Sequence, residues 1–217
     1  MKKIISSLFL ACLTVIGACT SQNSANHTNH TGTNHNANSS ISAAGHSNHG
    51  TGDAKLGSSA NAAAAPYDLQ FIDTMSAHHV AAIVMAKMAE KKSARPELKA
   101  LAQKMIADQQ REVTDMDKWR GSWFAGKQLA LNMEMHGMHD SMKQMSKFET
   151  ASGNEFDRLF IEEMIPHHEG AITMSRDALQ KSQKEEIKAL AARIISSQTQ
   201  EIEKMREWQE TWSGTAK

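Results

Sequence analysis

After Pro66 the apolar and polar positions fall into the period of a helix. Positions 71, 75, 78, 82, 85 and 89 recur at three- and four-residue spacing, which predicts a helix starting at Asp68 or a neighbour. His78 is the polar member of that row. The pattern breaks from Lys92 to Pro96, and so short a break should return the next helix antiparallel. The returning helix carries Leu98, Leu101, Met105, Gln109, Glu112, Met116, Trp119 and Trp123 on one face. The plan then repeats, with helices predicted over about 154–181 and 184–212. Two such hairpins, roughly 145 residues, are enough chain for one buried core. The expected fold is all-α, an antiparallel four-helix bundle. It is built from hairpins 66–124 and 154–213 joined by a connector over 125–153.

The repetition extends beyond pattern. Residues 71–85, FIDTMSAHHVAAIVM, align with 160–174, FIEEMIPHHEGAITM, at an offset of 89. Residues 97–123 align with 186–212 at the same offset, so that about 22 of 53 positions from 71 to 123 are identical in the second copy. That is an internal duplication. The two M-x-x-H-H-x-x-A-I-x-M segments, each followed by a long helix, resemble the bacterial family catalogued as domain of unknown function 305. The resemblance covers roughly residues 67–213. It implies a ferritin-like bundle in secreted or periplasmic proteins, some of them associated with copper.

The residues carry a chemical argument of their own. At about 100° per residue, His78 and His79 fall on the two flanks of the core-facing stripe. Glu112 lies near the centre of the stripe on the next helix, with Gln109 beside it. If the first hairpin reverses near residue 94, His78 and His79 stand level with residues 109 and 110. The second copy places His167 and His168 level with Gln198 and Glu201. Polar side chains from all four helices should therefore converge on one layer, joined by the thioethers of Met75 and Met164. Hydrogen bonds between His and Glu could satisfy such a layer without metal. Burying so many polar groups at one level is costly, however, and paired His from two helices is what a bundle-core metal site needs. The expected ligands are His78, His79, His167, His168, Met75 and Met164. Glu112 and Glu201 are expected either as further ligands or as partners that orient the imidazoles. Pro166, where the first copy has Ala77, should bend its helix beside His167.

The connector is the other informative stretch. LNMEMHGMHDSMKQM (131–145) carries Met133, Met135, Met138, Met142 and Met145 with His136 and His139. Met135, Met138, Met142 and Met145 have the spacing of an amphipathic helix that could cap the bundle. Leu131 is the stretch's only branched aliphatic residue, and thioether with imidazole suits Cu(I) or Ag(I). A second metal-binding region is expected here.

Ahead of the hairpins, Lys2 and Lys3 followed by the apolar run Ile4 to Ile16 read as a signal peptide over 1–18, too short to remain as a membrane span. Ile16-Gly17-Ala18-Cys19 has the form of a lipobox, making Cys19 the expected lipidation site. Cys12 leaves with the signal, so soft-metal binding must rest on His and Met. Residues 20–65 are polar, small and without apolar period, which predicts a disordered tether reaching roughly 35–40 Å. His27, His30, His35, His46 and His49 lie in it and are expected to capture metal loosely.

Charge and motifs exclude several classes. The chain has 24 basic and 24 acidic residues and no basic stripe, so nucleic acid is not an expected partner. GxGxxG, Walker, GxSxG and HExxH motifs are absent. The overall reading is an exported, membrane-anchored copper-binding protein, on the periplasmic side of a membrane or at the cell surface. It would act as a scavenger or chaperone in copper or silver tolerance, with copper-transport proteins as candidate partners. Cu(I) is the preferred ion, and Cu(II) can also be taken by imidazole. A ferritin-like cuprous oxidase is the enzyme alternative, but the Glu-x-x-His of di-iron bundles is missing: Met75 and Met164 stand in the Glu positions. A metal-free envelope interaction module is the third.

Overall fold

The computed structural model describes residues 57–138 and 145–213, all helix, turn or irregular backbone. Cys19, the five tether histidines, His139 and Met142 lie outside the described residues. Four long helices make the bundle: α1 (Tyr67–Lys92), α2 (Pro96–Trp123), α4 (Gly153–Lys181) and α5 (Glu185–Ser213). A short helix, α3 (Met145–Thr150), precedes α4. α1 starts one residue before the Asp68 expected from sequence, directly after Pro66, which has no N–H to leave unsatisfied.

The breaks between paired helices are built from one duplicated device. Ser93 takes extended backbone, and its hydroxyl accepts a hydrogen bond from the Arg95 N–H at 3.0 Å. In the second copy the Ser182 hydroxyl accepts from the Lys184 N–H at 3.1 Å. Pro96 then opens α2 with its φ already helical.

α1 packs along α2, α4 along α5, and α1 against α4, while α2 and α5 stand farther apart. The turn of each hairpin meets the open end of the other. Arg95 sits 4.1 Å over Trp212, which stacks on Trp208. Lys184 sits 4.8 Å over Trp123, which stacks on Trp119. These pairs are related by the duplication, so the bundle has an approximate two-fold relation between its halves.

The core comes in two apolar parts. One contains Phe71, Ile72, Met75, Met116, Met138, Met174, Ile187 and Leu190. The other contains Met85, Leu98, Met105, Phe148, Phe156, Phe160, Met164 and Met205. Phe148 reaches the second part from α3 and meets Phe156 edge-on at 5.5 Å, while Lys92 donates to the carbonyls of Phe148 and Glu149.

The connector differs from the helix its methionine spacing suggested. Residues 133–137 form turns, and the next helix among the described residues is α3 at Met145. The cause is backbone contact: Gly137 has φ +94°, and a Cβ on it would stand 2.1 Å from the carbonyl oxygen of Gly170. A helix cannot hold that conformation or come that close. Side chains of α1 stitch the connector down as well. Asp73 accepts from the Ala130 N–H at 2.8 Å and pairs with Arg120 at 2.6 Å. Thr74 accepts from the Asn132 N–H at 3.0 Å, and Gln70 from the Asn132 amide at 2.7 Å.

Candidate metal centre

Between the two apolar parts lies a layer of polar side chains. His78, His79, His167, His168, Gln109, Gln198, Glu112 and Glu201 are all buried, the four histidines to within 1 % of full burial. Helix period places them. His79 and Glu112 come from adjacent helices of one hairpin, His168 and Glu201 from those of the other, and His78 and His167 meet across the α1–α4 seam.

The two outer pairs are satisfied alike. His79 Nε2 lies 2.7 Å from a Glu112 carboxylate oxygen, and His168 Nε2 lies 2.9 Å from Glu201. An ionised carboxylate can only accept, so each Nε2 carries the proton and each Nδ1 keeps a lone pair. Both Nδ1 atoms are buried without a hydrogen-bond partner. Lys104 adds a third member on one side, donating to Glu201 at 3.0 Å and to Asp108 at 2.9 Å.

The central pair is different. The rings of His78 and His167 lie against each other with centroids 3.7 Å apart and planes tilted by 41°, and none of their four nitrogens has a side-chain hydrogen-bond partner. Burial, then the neighbouring imidazoles, hold both groups well below the ordinary histidine range. They are therefore neutral at pH 7, the form that ligates metal. The Gln109 and Gln198 side-chain carbonyls are buried and unpartnered too. Orphaned buried acceptors are rare in folded proteins, and several at one level make a layer chemically suited to a cation. Among the described residues no three His, Cys, Asp or Glu side chains converge in the manner of a ready-made site of those types alone. The softer candidates named from sequence are the thioethers of Met75 and Met164 and the groups of the connector.

Those softer groups do not share the layer. Met75 and Met164 are fully buried, each one turn before its histidine pair, and they belong to the apolar parts on opposite sides of it. In the connector, Met138 is buried in the part that holds Met75, and Met133 and Met135 are half-buried against it. His136 is exposed, 3.7 Å from Asp177. Met145 opens α3. Pro166 lies inside α4, which continues through it to Lys181. Sequence reading missed Lys104, because position 104 is exposed on its helix and only the neighbouring hairpin brings Glu201 within reach. It also missed Gly170; the one available signal was glycine in the place of Ala81 of the first copy.

The family described as domain of unknown function (DUF305) matches residues 18–120 and 68–209. The chain belongs to that family. Solved structures agree. CopM in its Cu(II)-bound form is 39 % identical over 67 % of this chain and 97 % of its own, with a TM-score of 0.60. CopM in its Cu(I)-bound form is 38 % identical over 67 % and 96 %, TM-score 0.57. A DUF305 protein from Streptomyces coelicolor, 24 % identical over 67 % of this chain and 90 % of its own, shares the fold at a TM-score of 0.59. No curated protein matches the chain. The structural relatives are described as DUF305 proteins or as CopM in its copper-bound, silver-bound and apo forms.

Proposed function

We propose that this is an exported copper-binding protein that holds Cu(I), and Ag(I) in its place, at the histidine layer of the bundle. One observation carries the reading: His78 and His167, neutral, buried and in contact at a 41° tilt, with four ring nitrogens that no side chain satisfies. These two imidazoles are the central ligands, and the Nδ1 atoms of His79 and His168 stand behind them. Glu112 and Glu201 orient those outer rings. Met75 and Met164 supply thioethers from either side, a donor type that favours Cu(I) and Ag(I) over harder ions. Cu(II) is taken through imidazole. Met133, Met135, His136, Met138, His139, Met142 and Met145 form a collecting region beside the bundle, and the tether histidines a weaker one. Cys19 anchors the chain by lipid, so the protein works as a scavenger or chaperone on the outer face of a membrane. The relation to CopM, solved with Cu(I), Cu(II) and Ag, supports the choice of metals.

The test is an anaerobic Cu(I) titration of the full chain in detergent against a chromogenic chelator. It is repeated with His78, His79, His167 and His168 all changed to Ala, and with the five connector methionines changed to Leu. The His variant, still helical by circular dichroism, should lose its tightest site, and the Met variant should lose only weaker binding. Parental binding by the folded His variant would refute the layer as the site.

A further inference from the structure

All four histidines of the layer are sealed from solvent, so an ion needs a path to them. Three of the four pairs of neighbouring helices pack closely, α1 on α2, α4 on α5, and α1 on α4. The fourth, between α2 and α5, holds a groove of about 490 Å³. Its walls are Asp108, Arg111, Glu112 and Asp115 of α2 and Arg193 and Ser197 of α5. Glu112 is the wall residue that belongs to both places. One side of it lines the groove, and its carboxylate holds His79 at 2.7 Å.

The duplication makes the groove's asymmetry legible. An offset of 89 relates Glu112 to Glu201 and Lys104 to Arg193. Each hairpin thus offers a carboxylate to the layer and a long cation near the other hairpin's carboxylate. Lys104 lies on Glu201 at 3.0 Å and so covers that half. Arg193 does not repeat the contact. It leans instead to Asp115 at 3.7 Å, leaving Glu112 with His79 as its one ion-pair partner among the described residues. Arg111 is likewise held by Asp108. Two carboxylates that the repeat made equivalent therefore stand in different surroundings, one covered by a cation and one lining the groove.

We propose that the α2–α5 groove is the path by which ions reach and leave the histidine layer, with Glu112 the carboxylate they meet at its inner wall and with Lys104 closing the equivalent path at Glu201. This rests on the copper-binding reading above and adds direction to it. A carboxylate suits the role because it attracts a cation through Coulomb energy yet is a harder donor than imidazole or thioether, so it does not retain a soft ion. The groove carries three carboxylates against two guanidiniums, which favours cation entry mildly without trapping.

The experiment separates rate from affinity. Cu(I) transfer between a chromogenic chelator and the full chain is followed by stopped flow under nitrogen in both directions, and the equilibrium constant is measured beside it. Ser197→Trp, which fills the groove from its rim, should slow capture and release together by tenfold or more while leaving affinity within about twofold. Lys104→Met, which uncovers Glu201, should speed both, again with affinity kept. Arg193→Glu should speed capture by adding negative charge at the mouth, and this acceleration should fade with added salt. These three positions lie on the surface or rim, so a folding failure in one leaves the other two to decide. Parental rates in Ser197→Trp and Lys104→Met with affinity intact would overturn the path alone. Absence of binding at the layer in the parent protein would overturn the copper reading and the path with it.

Discussion

At the residue scale, the four histidines divide by partner. His79 and His168 each hold a carboxylate, and His78 and His167 have no side-chain hydrogen-bond partner and lie against each other. This predicts a particular acid sensitivity. Burial lowers the affinity of His78 and His167 for protons in the fold, while an unfolded chain takes them up near pH 6.5. The unfolded state therefore binds more protons as pH falls. The stability these groups confer is complete above about pH 6.5 and is lost as acid carries the chain down toward their folded values. Urea midpoints of metal-free protein should fall between about pH 7.5 and 5.5. The fall should shrink when His78 and His167 are both changed to Leu; an equal fall would place the sensitivity elsewhere. Glu112→Ala is a different kind of change. It strands the buried His79 N–H and should cost about 1–3 kcal/mol by chemical denaturation, with Glu112→Gln, which keeps an acceptor, costing less.

At the scale of elements, the connector shows how a local exception governs a larger arrangement. α4 could not accept the connector at Ala81's counterpart if that residue had a side chain, because a Cβ on Gly170 would stand 2.2 Å from the Gly137 carbonyl oxygen. Gly170→Ala should therefore destabilise the protein by about 1–3 kcal/mol. It should also expose residues 125–138 to limited proteolysis, since the pressure falls on the connector and not on α4. Its mirror change, Ala81→Gly, should cost about 0.5–1 kcal/mol through helix propensity and leave the connector's protease resistance alone. The methionine spacing suggested a capping helix, and periodicity had no means of seeing this contact. Met135 and Met138 sit at helical spacing, but the glycine between them is held at positive φ by a residue thirty-odd positions away.

At the scale of the whole molecule, the duplication produces a bundle whose two ends are clamped by the same device. Arg95 over Trp212 and Lys184 over Trp123 are cation–π contacts at opposite ends, each worth about 0.5–1 kcal/mol where exposed. Arg95→Ala and Lys184→Ala share no partner, so their costs should add to within about 0.5 kcal/mol in a double-mutant cycle by urea unfolding. Arg95→Ala should be the larger. Arg95 is also the cation nearest Asp157, 3.7 Å away, a buried carboxyl that burial already pushes above its ordinary range. Strong coupling between the two sites would mean that the ends communicate through the layer between them.

The sequence by itself determined the helices, the reversal points, the duplication and the membership of the polar layer. Each of these follows from periods and offsets that a chain carries along its own length. A reversal near residue 94 sets His78 and His79 level with residues 109 and 110, within a turn of Glu112, which is why the His79–Glu112 and His168–Glu201 pairs, both 33 residues apart, were within reach of arithmetic. The tertiary structure alone decided how the halves meet. It set His78 against His167, sent Met75 and Met164 to opposite sides of the layer, folded the connector into turns, and gave Lys104 to Glu201 but not Arg193 to Glu112. Those outcomes depend on contacts between segments with no fixed spacing, and on a repeat whose two copies have diverged at positions such as Ala81 and Gly170.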